Sequence, residues 1–488
     1  MYDLLVRGGS VVGPEPGPPR TADVAVRGGV IVALGSHLPG PAAQVVDADG
    51  LLVFPGAVDA HQHWGIYNQL DADAELESAA AAQGGVTTGL SYMRTGQYYL
   101  NRSGAYAEFF PQVLAQAAGR SYVDYGFHLA PMMNRHIEEI PELIDRFGVT
   151  SFKIFMFYGG HGLHGRSADQ SAFLMTPPDE RYDLAHFESV MRGVQAARAA
   201  RPALASSISL SLHCETAEIM TAYTRMVEQG DLTGLAAYSA SRPAHSEGLA
   251  VTIASYLAYE TALPTINLLH LSSAKALDAA MLMATTFPEV DFRREVTIGH
   301  LMADIETASG IGGKVNPPLR PRSDVEALWR HLLAGNVDWV ASDHACCRAE
   351  QKFGDPAEDV FLARSGFGGV EYLLPGLLTE GVRRGLSHHT IACLSAANPA
   401  DRFGLGGKGR VALGYDADLA LIDPDSPWTV RARDSLSQQE YTPFEGMRMT
   451  ARVVHTFVRG RQVLDGGKLS GPPAGRYVAR PSRPVDPR

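Results

Sequence analysis

The chain has 488 residues, 45% hydrophobic and 19% charged, with 50 Gly and 30 Pro scattered along it. That is text for roughly three average domains or one large barrel with additions, and it excludes a collagen-like or wholly disordered polypeptide. A formal net charge of −11 without a basic stripe excludes a duplex-binding surface, which must neutralise phosphates.

Four cysteines, Cys214, Cys346, Cys347 and Cys393, show no framework spacing, which predicts a reducing compartment, the cytoplasm. The opening MYDLLVRGGSVV lacks the basic start, apolar stretch and cleavage site of a leader, and no uncharged apolar run reaches about 18 residues. The expected partner is therefore a small molecule, with no nucleic acid and no membrane. Of the 42 basic residues only six are lysines, and Lys153 is the only one before Lys275.

Residues 1–54 read as short β runs (YDLLVRGG, ADVAVRGGVIVALG, AQVVDADGLLVFPG) with tight turns, the first part of a β-sandwich. Over 55–400, apolar runs such as GVTTGLSYM, TSFKIFMFYG, SISLSLHCE, TINLLHLSS and VDWVASDHA alternate with helical stretches such as FESVMRGVQAARAA. That alternation predicts an α/β fold of parallel strands with crossover helices, a (β/α)8 barrel in preference to a doubly wound sheet. The barrel is preferred because polar residues sit at the C-terminal ends of several separate strands, where barrel enzymes place their sites. Residues 401–470 return to β character and complete the sandwich from the other chain end. Residues 471–488, GPPAGRYVARPSRPVDPR, predict a Pro/Arg-rich tail that packs on a neighbour or stays mobile.

The chemistry-bearing residues begin with FPGAVDAHQHW. Alternation along a strand sends His61 and His63 to one face, so both imidazoles can reach one ion. A bare HxH is commonly two surface or hydrogen-bonded histidines, but His213, His270 and Asp343 also end apolar runs. Each alone reads equally as a strand-end cap; together they point to a cation site. Lys153 lies inside an apolar strand, where an ammonium is costly without a partner. A buried amine with a lowered pKa can react with CO₂, and the carbamate is an anionic ligand able to bridge two cations; arginine forms none.

The ordered set HxH, Lys, His, His, Asp resembles the cyclic amidohydrolases, the group of dihydropyrimidinase, hydantoinase, allantoinase and dihydroorotase. SRPAHSE, VNPPLR, SDHA and AANPADRFGL to KGRVALGYDADLALID extend the resemblance over nearly the whole chain. It implies two Zn²⁺, one held by His61, His63, carboxylated Lys153 and Asp343 and the other by Lys153, His213 and His270. It further implies Asp343 as general base and Tyr158 as hydrogen-bond donor to the developing oxyanion. His344 is expected to point away from the metals, and a homo-oligomer, tetramer or dimer, is implied as well.

The pattern also departs from the group. HQHWGIYNQ lacks the arginine with which dihydroorotases clamp a carboxylate. Asn316 stands where hydantoinases and dihydropyrimidinases carry Ser before PPLR, and Ser365 where they carry Asn-Gly; both are expected to contact substrate. Cys346 and Cys347 replace a common proline, as metal-tuning thiols or as small buried residues. Trp64, Tyr67, Phe157 and Phe367 are expected to line an aromatic pocket. The leading expectation is a binuclear hydrolase opening a hydantoin- or dihydropyrimidine-type ring. Alternatives are an allantoinase, a cyclic amidase or cyclase of specialised metabolism, a non-catalytic adaptor lacking metals, and a mononuclear deaminase that would not need Lys153.

Overall fold

The computed structural model describes residues 1–164 and 170–482. Eight strands form one sheet in sequence order: β1 (Ala57–Gln62), β2 (Val86–Met93), β3 (Asp124–Leu129), β4 (Ser151–Phe155), β5 (Ser209–His213), β6 (Thr265–Leu268), β7 (Asp291–Thr297) and β8 (Trp339–Ala341). Every neighbouring pair is parallel. Closure between β8 and β1 comes just past the strand end. Gln62 bridges in parallel to His344, the His63 amide donates to the His344 carbonyl at 2.8 Å, and the Ser342 amide donates to Asp59 Oδ1 at 3.0 Å. This is the (β/α)8 barrel, and the closure excludes the doubly wound alternative.

Helices cover the outside because their apolar residues repeat at helical spacing. Leu184–Ala200 turns Phe187, Val190, Met191, Val194 and Ala197 inward, and the Asp183 side chain caps it by accepting from the Ala185 and His186 amides. None of the helices among the described residues is long and apolar enough to cross a membrane.

Both chain ends supply the second body, a nine-stranded sheet in which Leu52–Pro55 pairs antiparallel with Leu419–Asp423. Leu4, Val24, Val53, Leu421 and Phe457 meet in its apolar cluster. Tyr2–Val11 takes two successive partners on one edge, Ala42–Asp47 and then Leu52–Pro55. Gly9 lies at that change, where a Cβ would collide with the Val53 side chain. Not all of 401–470 joins this sheet. Trp428–Thr429 pairs with Arg448–Met449 in a separate hairpin, and Val430, Phe444 and Met449 bury against Tyr238, Phe367 and Tyr372 of the barrel.

The tail expectation needs correction for residues 475–482; residues 483–488 lie outside the described residues. The Tyr125 amide donates to Arg476 and the Val478 amide to Tyr125. Arg480 is 2% exposed and donates to Ser151 Oγ at 2.5 Å and to the Phe127 carbonyl, so it enters the barrel of its own chain. Composition misleads here because PxxP text looks solvated, whereas one guanidinium inside the barrel fixes the segment. Gly475 is the fulcrum, since a Cβ there would strike the Val123 carbonyl. Gly475→Ala should therefore lower stability by about 1–3 kcal/mol through overpacking. Urea unfolding measures this, and an unchanged midpoint would mean the tail is not held there.

Candidate metal centre and active site

His61 is fully buried on β1. Its Nδ1–H donates to Glu295 Oε1 at 2.7 Å, so its Nε2 lone pair faces Asp343 Oδ1 at 3.1 Å. His63 repeats the arrangement, Nδ1–H donating to the Tyr99 phenol oxygen while Nε2 faces the same Asp343 oxygen at 3.2 Å. Burial pushes both imidazoles below their ordinary pKa, His61 furthest, so both are neutral. Two lone pairs aimed at one carboxylate oxygen repel unless a cation lies among them. The donor atoms of His61, His63 and Asp343 lie within 4.8 Å of one another. These residues fit a divalent metal.

Lys153 on β4 is 1% exposed. Its Nζ lies 3.1 Å from His61 Nε2, 4.2 Å from the Tyr92 ring centroid and 4.3 Å from that of Phe155. Burial brings the amine down to about 8, against the pull of Asp343 and Glu295. His213 ends β5, its Nε2–H donating to Glu215 Oε2 at 2.6 Å. His270, past β6, stands 4.3 Å from the His213 ring and 5.3 Å from the His61 ring. Both His270 ring nitrogens are buried and, among the described residues, make no hydrogen bond. An imidazole left so unsatisfied is costly, which again fits a cation. His270 and Asp343 hold left-handed φ values of 35° and 55°, conformations that persist only where surroundings enforce them.

Above this floor opens a pocket, its walls including Ile66, Phe155, Phe157, Leu163 and Val315, with Tyr99, Tyr158, Asn316 and Ser365 as polar members. Burial raises the Tyr158 phenol above its usual range and keeps it a donor. Asn316 donates to the Leu163 carbonyl at 2.8 Å and accepts from Tyr238, whose hydroxyl also reaches Ser365 Oγ at 3.2 Å. Three expected lining residues lie elsewhere. Trp64 follows His63, so alternation turns it away, and it packs 5.8 Å from Tyr125. Phe367 packs on Phe444 at 5.9 Å, and Tyr67 supports the rim from behind, donating to the Ser365 carbonyl at 2.5 Å. His344 turns from the floor, Nε2–H donating to Glu77 at 2.8 Å and Nδ1 accepting the Gly369 and Val370 amides. Cys346 and Cys347 are buried outside the pocket lining, and burial pushes both thiols up, Cys347 to about 11.

The family model described as the amidohydrolase family matches residues 52–463. The chain belongs to the amidohydrolase family. It is 37% identical over 99% of its length to an allantoinase of Rubrobacter xylanophilus, covering 98% of that protein. To an allantoinase of Deinococcus radiodurans it is 32% identical, each chain covered to 98%. Among solved structures, a dihydropyrimidinase from Brevibacillus agri matches at TM-score 0.84 with 25% identity, 99% of each chain covered. An L-hydantoinase from Arthrobacter aurescens matches at TM-score 0.84 with 27% identity, covering 98% of this chain and 100% of that one. Within the family the chain is a cyclic amidohydrolase.

Sequence reasoning missed the partners that orient this amidohydrolase's imidazoles: Glu295, Tyr99 and Glu215. The one available signal was an acid inside apolar strand text, in SLSLHCE and REVTIGHL. Arg242 completes the set, donating through Nε and Nη2 to Glu215 at 3.0 and 2.6 Å within a fully buried pair that holds the carboxylate far below its usual range. Arg242→Leu strands that carboxylate in the interior, and about 3–5 kcal/mol of stability should be lost. The double variant Glu215→Gln/Arg242→Leu should recover part of it in denaturant titrations; no recovery would show that an unpaired charge was not the cause.

Proposed function

We propose that this protein hydrolyses the ring amide of a cyclic ureide, with allantoin as substrate. The observation that carries this is the full-length likeness to allantoinases joined to a pocket whose floor gathers His61, His63, Lys153, His213, His270 and Asp343. In this reading Lys153 is carboxylated by CO₂, and two divalent cations, Zn²⁺ by donor chemistry, are held by the two residue sets that the sequence resemblance implies. When bound, the metal pair supplies a nucleophilic hydroxide at neutral pH and polarises the scissile carbonyl.

The chain's own groups supply the rest. The Asp343 carboxylate, at the centre of the floor, takes the proton of the attacking oxygen and passes it to the departing ring nitrogen. Tyr158 donates to the carbonyl oxygen as negative charge develops there. Asn316 and Ser365 position the ring. Phe157, Leu163 and Ile66 keep water from the ring face. The same apolar walls support a second reading, a hydantoin or dihydropyrimidine with an apolar substituent. We further propose a homo-oligomer, tetramer or dimer, in the cytoplasm, where its four free cysteines stay reduced.

Wild type grown in zinc should hold about two metals per chain and open allantoin, while Lys153→Ala should hold less than about half an ion and lose activity. Assay of allantoin, hydantoin, 5-phenylhydantoin, dihydrouracil and dihydroorotate decides the ring. Opening of hydantoin or dihydrouracil without allantoin replaces the first reading by the second. Activity retained in Lys153→Ala would instead point to a mononuclear enzyme.

Loading should depend on pH. With its pKa lowered to about 8, the amine is neutral in roughly a tenth of molecules at pH 7 and half at pH 8. Only the neutral amine attacks CO₂. Reconstitution of metal-free protein with zinc at fixed dissolved CO₂ should therefore quicken about fivefold from pH 7 to 8, the ratio of those neutral fractions. A flat rate would show that Lys153 does not gate assembly.

A further inference from the structure

The chain keeps six lysines against 36 arginines, and four of them, Lys153, Lys314, Lys352 and Lys408, are buried. Two have evident reasons. Lys153 stands on the metal floor, and Lys408 binds Asp124, Asp416 and Asp418 at 2.8, 3.3 and 2.6 Å. Lys352 differs: it is 0% exposed, forms no ion pair with a carboxylate among the described residues, and donates to two main-chain carbonyls, Lys314 at 2.9 Å and Gly366 at 2.7 Å. In the interior two carbonyl dipoles and the Tyr441 ring, its centroid 5.8 Å from Nζ, hold an amine that burial pulls down to about 7. A chain that writes most of its basic residues as arginine retains a lysine here. A compact ammonium can sit between two carbonyl oxygens where a planar guanidinium needs a wider slot.

The two carbonyls belong to the pocket wall. The Gly366 amide donates to Lys314 at 2.9 Å, the Arg364 amide donates to Lys352 at 2.9 Å, and Lys314 Nζ donates to the Ala363 carbonyl at 2.6 Å. The stretches Lys314–Asn316 and Ala363–Gly366 are thus knotted together, and Val315, Asn316, Ser365 and Gly366 line the pocket. Among the described residues, neither the amide nor the carbonyl of Asn316 makes a main-chain hydrogen bond.

We propose that Lys352 is a positioning residue for the reaction, setting the spacing between the Asn316 and Ser365–Gly366 backbones that receive the ring. The proposal rests on the reading that the cyclic substrate binds in this pocket. It acts through main chain, so its loss should weaken ring binding without removing metal or the general base.

The test compares zinc-loaded full-length wild type, Lys352→Met and Lys352→Gln, by metal content, steady-state kinetics on the ring opened by wild type, and amide hydrogen exchange. Lys352→Met should keep its zinc and fold, raise KM about tenfold or more with kcat little changed, and Lys352→Gln, which keeps a donor, should fall between. Exchange at Gly366 and Arg364 should quicken about tenfold. A folded, zinc-loaded Lys352→Met with KM within about twofold of wild type overturns the proposal, as does unchanged exchange at Gly366. If Lys352→Met does not fold, Lys352→Gln carries the same comparison. If wild type opens no ring, the substrate reading fails, and the clamp is then judged by exchange at Gly366 and Arg364 alone.

Discussion

Glu295 accepts three hydrogen bonds inside the barrel: from His61 Nδ1–H at 2.7 Å, the His270 amide at 3.0 Å and the Trp339 indole N–H at 2.8 Å. Those donors come from β1, the residues after β6, and β8, while Glu295 itself is on β7. One carboxylate therefore ties together the four strands around the closure of the barrel. Burial pushes its carboxyl up to about 8, and the Trp339 and His270 donors pull it back. The rest of the site depends on this arrangement, because the bond to His61 decides which ring nitrogen keeps its lone pair and where that lone pair points. Glu215 does the same for His213, and Tyr99 for His63.

What was legible in the sequence follows the reach of local physics. Alternation along a strand is a two-residue rule, and it put His61 and His63 on one side and Trp64 on the other. The aromatic-pocket expectation ignored that same rule for Trp64 and failed. Lysine rarity made Lys153 conspicuous, and strand-end positions drew out His213, His270 and Asp343. Glu295, Glu215, Arg242 and Tyr238 were not legible, because their meaning lies in partners far away in sequence, such as Glu295 with His61 and Trp339. The left-handed turns at His270 and Asp343 were equally hidden: Asp and His are enriched at positive φ, but most of them do not adopt it, so residue type alone singles out no position.

The barrel interior beneath the floor is polar as well. Tyr92 carries the Lys153 amine over its ring, stacks on His128 at 4.1 Å and donates to Ser211 at 3.0 Å. His128 and Arg480 both reach Ser151 Oγ. Burial lowers Arg480 to about 10, the cost of holding a guanidinium with no carboxylate partner among the described residues. Residues 475–482 are thus part of the barrel's packing, connected to Lys153 through Ser151 and the stacked His128 and Tyr92 rings. Composition could not show this because a PxxP stretch and an inserted strap have the same letters.

Floor and rim obey different constraints. The floor residues sit on or just past strands; His61, His63 and His213 are each held through a ring nitrogen by a buried partner and His270 through its amide, so small displacements are resisted by several hydrogen bonds at once. The rim, with Ile66, Phe157, Leu163 and Ser365, comes from connecting segments that can change without disturbing Glu295 or Glu215. In the proposed mechanism the cation-binding groups belong to the floor, whereas Tyr158, Asn316 and Ser365, which meet the ring, belong to the wall above it. Such a separation lets one fold serve more than one ring. A clamp such as Lys352 belongs to the boundary, where a floor held by strands meets a rim built from connecting segments and main-chain spacing must be held without a catalytic side chain.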